Sequence, residues 1–299
     1  MAQNKAEKPT LLGPWGRGIV NSVSDHAIPL DGLYDAVDCD IDREGFTYAR
    51  NNYVILDDAE AYRDIYEHNG QTYAVSGGFV GIVGEAGFTN IRATPAGVGW
   101  SEINGELIYC DMAGVYKIAG TTATQFTARP TIDEEERYEL TTIPGGKAVA
   151  YWQGRLLVLR GRSLLWSEPL DYGAHSAPRN YVRFRKTPTW MAALDAGLYV
   201  GVEGEVFFLE GTDPKQFRMT VVSGANCPGA SLVMDSKLMD PELAPAGNVA
   251  IWFCDVGFAI GQENGRVVYP QAANLRGLPI VRRKLALVGE RLYSFIDEG

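Results

Sequence analysis

The sequence predicts an all-β fold: a β-propeller of about six blades, closed by N- and C-terminal strands, with an extended N-terminal arm. Three observations carry this expectation. A turn–strand–turn–strand motif recurs along the 299 residues, at intervals of roughly 35 to 50 residues, the period of a propeller blade. The 34 glycines and 15 prolines punctuate short apolar and aromatic runs, as suits many short strands and turns. The last repeat is only half complete, and an N-terminal hairpin also lacks partners. Pairing the two would remove two open sheet edges.

The elements follow in order. Residues 1–32 form the arm. They carry Pro9, Gly13, Pro14, Gly16, Gly18 and Pro29 and show no strand or helix period, and Trp15 and Ile19 are its anchoring side chains. Residues 33–299 form the propeller domain. Val37, Cys39 and Ile41 alternate with Asp38, Asp40 and Asp42, a period of two; Arg43-Glu44-Gly45 turns the chain and residues 46–55 return. Residues 62–92 and 99–127 are the first two full repeats. The acidic run 133–136 reads as a solvated linker. The third repeat covers 147–184, with an insert from 168 to 180, and the fourth covers 190–222. A loop rich in Gly, Pro and Ala spans 224–247. The fifth repeat is 248–269, and 282–299 is the half repeat whose strands are expected to pair with the 37–54 hairpin.

Composition limits the function classes. Hydrophobic residues make up 46% and charged residues 21% of the chain, enough for a large core and against global disorder. No apolar run approaches the roughly 20 residues of a membrane helix, and residues 1–9 lack the apolar segment of a secretory signal. The net charge of −10 suits a solubilising surface, or one past which DNA moves without adhering. It does not suit a grip on phosphates. Cys39, Cys110, Cys227 and Cys254 are widely spaced, so neither zinc spacing nor a disulfide framework is expected; they read as reduced thiols.

Chemical motifs are sparse. Asp38, Asp40 and Asp42 before Gly45 resemble the opening of a Ca²⁺ loop, but the twelfth position is Ala49 rather than Glu; a strand with an acidic face is the competing reading. His26, His68 and His175 share no ligand spacing and read as turn or surface residues. Glu168, Asp171, Asp213 and Asp255 are the loop acids that a glycan-cleaving propeller would need as a pair. Gly77-Gly78 and Gly145-Gly146 lack a following Gly-Lys-Ser/Thr and punctuate strands. The recurring aromatics read as packing between blades. No catalytic residue, cofactor or metal is expected.

Gly13-Pro14-Trp15-Gly16-Arg17-Gly18-Ile19-Val20-Asn21, followed by residues 27–45 with Leu33-Tyr34-Asp35-Ala36-Val37-Asp38-Cys39-Asp40-Ile41-Asp42, resembles the N-terminal signature of a family of tailed-bacteriophage virion proteins. Tyr34 stands where Arg is more usual, and Asp38 where Asn is. Leu165-Trp166-Ser167-Glu168-Pro169-Leu170, Gly197-Leu198-Tyr199-Val200-Gly201, Phe208-Leu209-Glu210-Gly211-Thr212-Asp213-Pro214 and Asp255-Val256-Gly257-Phe258-Ala259-Ile260-Gly261 are similar to further stretches of that family. The resemblance implies a structural tail component, a nozzle or tip subunit with a propeller-like body and no catalytic residues, in virions assembled in the host cytoplasm. With the arm, it leads to the expectation of a ring homo-oligomer, sixfold or matched to a sixfold neighbour. Trp15 and Ile19 would sit at the contact, with other tail proteins as partners and genomic DNA passing unbound. No membrane insertion is expected. The alternatives are a receptor- or glycan-binding tail module contacting the host surface and, less favoured by the residues, the glycan-cleaving enzyme.

Overall fold

In a computed structural model of the chain, the described residues are 62–94, 98–128, 140–224, 231–239, 247–278, 283–288 and 291–296, with short pieces at 18–20, 23, 32–33, 39–41 and 47–49. The chain divides into two compact units. One comprises residues 1–54, 255–257 and 269–279; the other comprises 55–254, 258–268 and 280–299.

In the first unit, β1 (Gly18–Ile19) pairs in parallel with β2 (Gly32–Leu33). A strand inside the sequence-defined arm thus joins one at the arm's boundary with the body. β3 (Cys39–Ile41) and β4 (Thr47–Ala49) form the hairpin read from the period-two pattern, with Cys39 opposite Ala49.

The second unit is all-β and propeller-like. Its described strands form five four-stranded antiparallel sheets in chain order. The first contains β5 (Arg63–His68), β6 (Gln71–Ser76), β7 (Phe79–Gly84) and β8 (Gly87–Ala93). The second contains β9 (Gly99–Ile103), β10 (Glu106–Cys110), β11 (Val115–Ala119) and β12 (Thr122–Gln125). β13 (Leu140–Thr142) precedes the third sheet, which contains β14 (Ala148–Trp152), β15 (Arg155–Arg160), β16 (Ser163–Trp166) and β18 (Tyr181–Arg183). Between its last two strands, β17 (Ala174–Ser176) pairs with β13. The fourth sheet contains β19 (Pro188–Leu194), β20 (Gly197–Val202), β21 (Glu205–Glu210) and β22 (Arg218–Ser223). The fifth contains β23 (Ser231–Asp235), β24 (Asn248–Cys254), β25 (Gly257–Gly261) and β26 (Val267–Val268), and the hairpin β27 (Arg283–Val288)–β28 (Arg291–Ile296) follows it. The first strands of the second to fifth sheets lie side by side in succession, with β27 beside β23.

Turn chemistry sets the register. β5–β6, β9–β10 and β14–β15 are joined by Asn69-Gly70, Asn104-Gly105 and Gln153-Gly154, each with both residues at positive φ. Such turns match the twist of the strands they join, and Gly tolerates that backbone without steric cost.

Packing follows the period of the strands. In β10, Leu107 and Tyr109 pack with Tyr73, Val75 and Val80 of the first sheet, while Ile108 and Cys110 pack with Leu156 and Val158 of the third. In β15, the other register, Leu157 and Leu159, packs with Leu198 and Val200 of the fourth. Tyr199 then meets Trp252 of the fifth, ring centroids 5.4 Å apart. Each second strand is therefore buried on both faces, which explains why its sequence is a continuous apolar run rather than an alternation. Each such fully buried side chain contributes about 1.5–3 kcal/mol.

Two sequence expectations are corrected. Residues 224–247 are not loop throughout. β23 and a 3-10 turn over Ser236–Leu238 lie within them, and β23 is the first strand of the fifth sheet. His175 is not a surface residue: it lies in β17 and is buried, as is His68 at the end of β5. Cys110 and Cys254 are buried and in no disulfide, as read from their apolar strands. Among the described residues no helix is long and apolar enough to cross a membrane.

Candidate functional site

The third sheet carries the insert between β16 and β18, and charged groups converge on it. Arg155 opens β15 and is 9% exposed. Its Nη1 donates to the Ser167 carbonyl at 3.1 Å and lies 3.9 Å from Glu168 Oε2, while its Nη2 lies 3.7 Å from Asp213 Oδ1. Asn180 Nδ2 donates to Glu168 Oε1 at 2.7 Å. The insert is therefore clamped by one buried cation shared between two sheets.

Local sequence makes the clamp. The Ser167 hydroxyl accepts from Leu156 N–H at 2.9 Å and donates to the Glu168 carbonyl at 3.0 Å. His175 Nδ1 donates to the Trp166 carbonyl at 3.0 Å. Asp213 caps the turn Pro214–Gln216 by accepting from Lys215 N–H; Pro214 presets the backbone angle that a first helical position needs. Phe217 then packs on Trp152, ring centroids 5.2 Å apart.

Two segments that carry the virion-protein resemblance, 165–170 and 208–214, thus meet on Arg155. A third, 197–201, is explained by close packing. A Cβ at Gly201 would fall inside the Trp190 indole, and one at Gly197 would strike the Leu209 carbonyl. These segments hold sheets together.

Of the four loop acids, Glu168 and Asp213 are brought together, but on a guanidinium rather than across a space for substrate. Asp171 forms a backbone bridge with Glu168. Asp255 stands in the turn before β25, its carbonyl accepting from Leu278 N–H at 2.9 Å. The sequence did not single out Arg155: it opens β15 as Gln71 opens β6 and Glu106 opens β10, and no local pattern sets it apart from them.

Beside the clamp lies an open hollow of about 330 Å³, lined by residues 151–154 and 193–195. Trp152 Nε1 donates to the Leu194 carbonyl at 2.6 Å, and Gln153 Nε2 to the Asp195 carbonyl at 3.1 Å. Glu263 of the fifth sheet accepts from the backbone N–H groups of Asp195 and Ala196. Leu170, at the tip of the insert, stands over Gly154. It is 74% exposed, and its φ of +58° is a strained angle for a leucine.

Of the remaining sequence candidates, Ile19 lies in β1 opposite Leu33, and Asp40 lies in β3 opposite Tyr48. Trp15, Asp38 and Asp42 fall outside the described residues. Among the described residues, no group of three His, Cys, Asp or Glu is placed to hold a metal ion.

No family model matches the chain, and no curated protein matches its sequence. Among solved structures it is similar to a gluconolactonase from Xanthomonas campestris, with 9% identity and a TM-score of 0.48 over 76% of this chain and 79% of that one. It is similar to a streptogramin B lyase, with 8% identity and a TM-score of 0.45 over 83% and 78%. It also matches the extracellular domain of BT4673 from B. thetaiotaomicron, with 9% identity and a TM-score of 0.43, but spans only 29% of that chain. With every one of these scores below 0.5, the likenesses carry no argument about activity or ligand.

Proposed function

We propose that this chain is a structural subunit of a bacteriophage tail, at the nozzle or tip, which assembles as a ring around the DNA-ejection path and has no enzymatic activity. The observation that carries the reading is the convergence of the family-like segments 165–170 and 208–214 on Arg155. Residues that resemble a virion protein hold the sheets together here instead of facing a substrate. The net charge of −10 suits a conduit wall that DNA passes without adhering. The arm, with Trp15 and Ile19, ties each subunit to the next, and rings close by such heterologous contacts.

The body is a six-bladed propeller in this proposal. Five blades are the four-stranded sheets, and the sixth is shared between the hairpins β3–β4 and β27–β28. Each hairpin supplies two of the four strands a blade needs. Leu285 of β27 packs with Met234, Val249, Ile251 and Ile260 of the fifth sheet, which supports the C-terminal hairpin as the next blade in the stack. Among the described residues the two hairpins are separate two-stranded sheets.

The test is an electron-microscopy reconstruction of virions that encode the protein, with deletion of residues 1–30 as the perturbation. A ring at the tail end that is lost on deletion is the expected result. Virions without the protein, or unchanged incorporation of the deletion variant, overturn the reading. Release of reducing ends from bacterial surface polysaccharide, abolished by Glu168→Gln or Asp213→Asn, would instead establish the enzyme.

A further inference from the structure

We propose that the basic end of the third sheet, where β15 turns into β16, docks on a second copy of this chain, against the acidic opposite end of that copy's first and second sheets. This rests on the ring reading above and names the body surfaces through which neighbouring subunits meet.

Antiparallel order puts the turns between second and third strands at one end of the sheets, and Arg160 Nη1 links two of them by donating to the Met112 carbonyl at 3.1 Å. At that end the third sheet gathers Lys147 just before β14, Arg160 and Arg162 on either side of Gly161, and Arg183, Arg185 and Lys186 at and after the end of β18. All but Arg160 are exposed. Among the described residues none of the six has a carboxylate within ion-pairing distance. Backbone carbonyls hold three of them instead: Arg160 donates to Met112 and Gly145, Arg162 to Arg185, and Lys186 to Glu203. Such bonds fix the cations without neutralising them. The described carboxylates at this end of the two neighbouring sheets are Asp111, already paired with Arg92, and Glu203 and Glu205 of the β20–β21 turn, so cations predominate. Met112 stands among them 38% exposed, and Arg and Met are both enriched where proteins meet.

The other end of the strands has the opposite sign in the first two sheets. His68 Nδ1 and Glu102 Oε1, 2.9 Å apart, join those sheets there. Glu67, Glu85, Glu102 and Glu106 are all exposed at this end, and Lys117 offsets only Glu106. β10 and β15 are 5 and 6 residues long, so the two ends stand roughly 17–20 Å apart. No side chain of one copy spans that distance, and each patch finds its complement on another molecule.

Charge and geometry choose the occupant. The chain carries −10 overall, so its net field repels a nucleic-acid backbone. A second copy supplies the carboxylates without that penalty at the contact, because opposite patches face one another and fix the register of approach. Four of the six cations are arginines, whose planar forks pair with carboxylates through two parallel hydrogen bonds. The two surfaces differ and lie at opposite ends, so the contact is heterologous. It closes into a ring where successive copies tilt and extends into an open stack where they do not. A symmetric dimer through either surface would set like charges against each other.

The test is a charge swap in trans on the full chain, read by size-exclusion chromatography with light scattering at low ionic strength, each variant being checked for folding by circular dichroism. The wild type self-associates and comes apart as salt is raised. Arg183→Glu with Arg185→Glu reverses the basic surface, as does, independently, Lys147→Glu with Arg162→Glu; Glu85→Lys with Glu106→Lys reverses the acidic one. Each double variant weakens association by about tenfold or more. An equimolar mixture of a basic-surface and an acidic-surface variant regains it, because every reversed surface then meets a reversed complement. Monomeric wild type, double variants that associate like wild type, or a mixture that fails to associate overturns the proposal. A labelled single-stranded oligonucleotide is titrated in parallel: binding that is lost in the Arg183→Glu, Arg185→Glu variant while self-association is unchanged makes the surface a nucleic-acid site and overturns the proposal as well. Failure here with a ring still present in virions removes this contact and leaves the tail reading intact. Success here with protein absent from virions does the reverse.

Discussion

Arg155 concentrates the residue-scale chemistry. Its guanidinium is nearly buried, so removing it strands the Ser167 carbonyl and uncouples Glu168 from Asp213. Arg155→Ala is expected to cost about 2–3 kcal/mol in urea denaturation, whereas Asp213→Ala, at a side chain 41% exposed, is expected to cost under about 1 kcal/mol. Equal costs would mean that the clamp is not organised around the arginine. Gly201→Ala is the steric counterpart. Its methyl group has no room against Trp190, and a loss of roughly 2–3 kcal/mol is expected. Leu170→Gly should act in the opposite direction, raising stability by up to about 1 kcal/mol as the strained angle is relieved. The individual acids of the clamp were legible as loop carboxylates. Their meeting was not, because Arg155 and Asp213 come from different sheets, and only the fold brings them within reach.

At the scale of the element, β10 shows what a doubly buried strand does to its titratable groups. Burial pushes the Cys110 thiol up to about 12 and the Tyr109 phenol likewise to about 12. The folded state therefore holds both protons more tightly than the unfolded chain. The stability this contributes is fully present below about pH 9 and is lost as pH rises toward 12. Thermal midpoints should fall across that window, and Cys110→Ala should flatten the early part of the decline. Alkylation of Cys110 at pH 8 should require unfolding. The strands were readable because turn residues and apolar runs recur in step: Asn69-Gly70 and Asn104-Gly105 mark the same bend in successive sheets. β23 was missed because Ser231–Asp235 is short, begins and ends in polar residues, and sits between segments containing Pro228, Pro241 and Pro245. Those prolines outweighed Leu232, Val233 and Met234 in the sequence pattern.

For the whole molecule, the repeat period was legible and the packing between repeats was not, since no local pattern records which face meets which neighbour. Removing residues 283–299 takes away β27, whose Leu285 packs on the fifth sheet. The truncated chain is expected to be insoluble or to melt well below the full chain; a soluble variant with an unchanged melting temperature would show that the stack ends at the fifth sheet. The alternation along β10, β15 and β20 also bears on how such a chain can change length. A single codon inserted in β15 would exchange Leu156 and Val158 with Leu157 and Leu159 and misdirect contacts to two neighbours at once. Strand interiors are thus closed to one-residue insertions and deletions. Growth and loss are steered into the bends and the 168–180 insert, so new surface is acquired at the ends of the strands while the stacked interior keeps its frame.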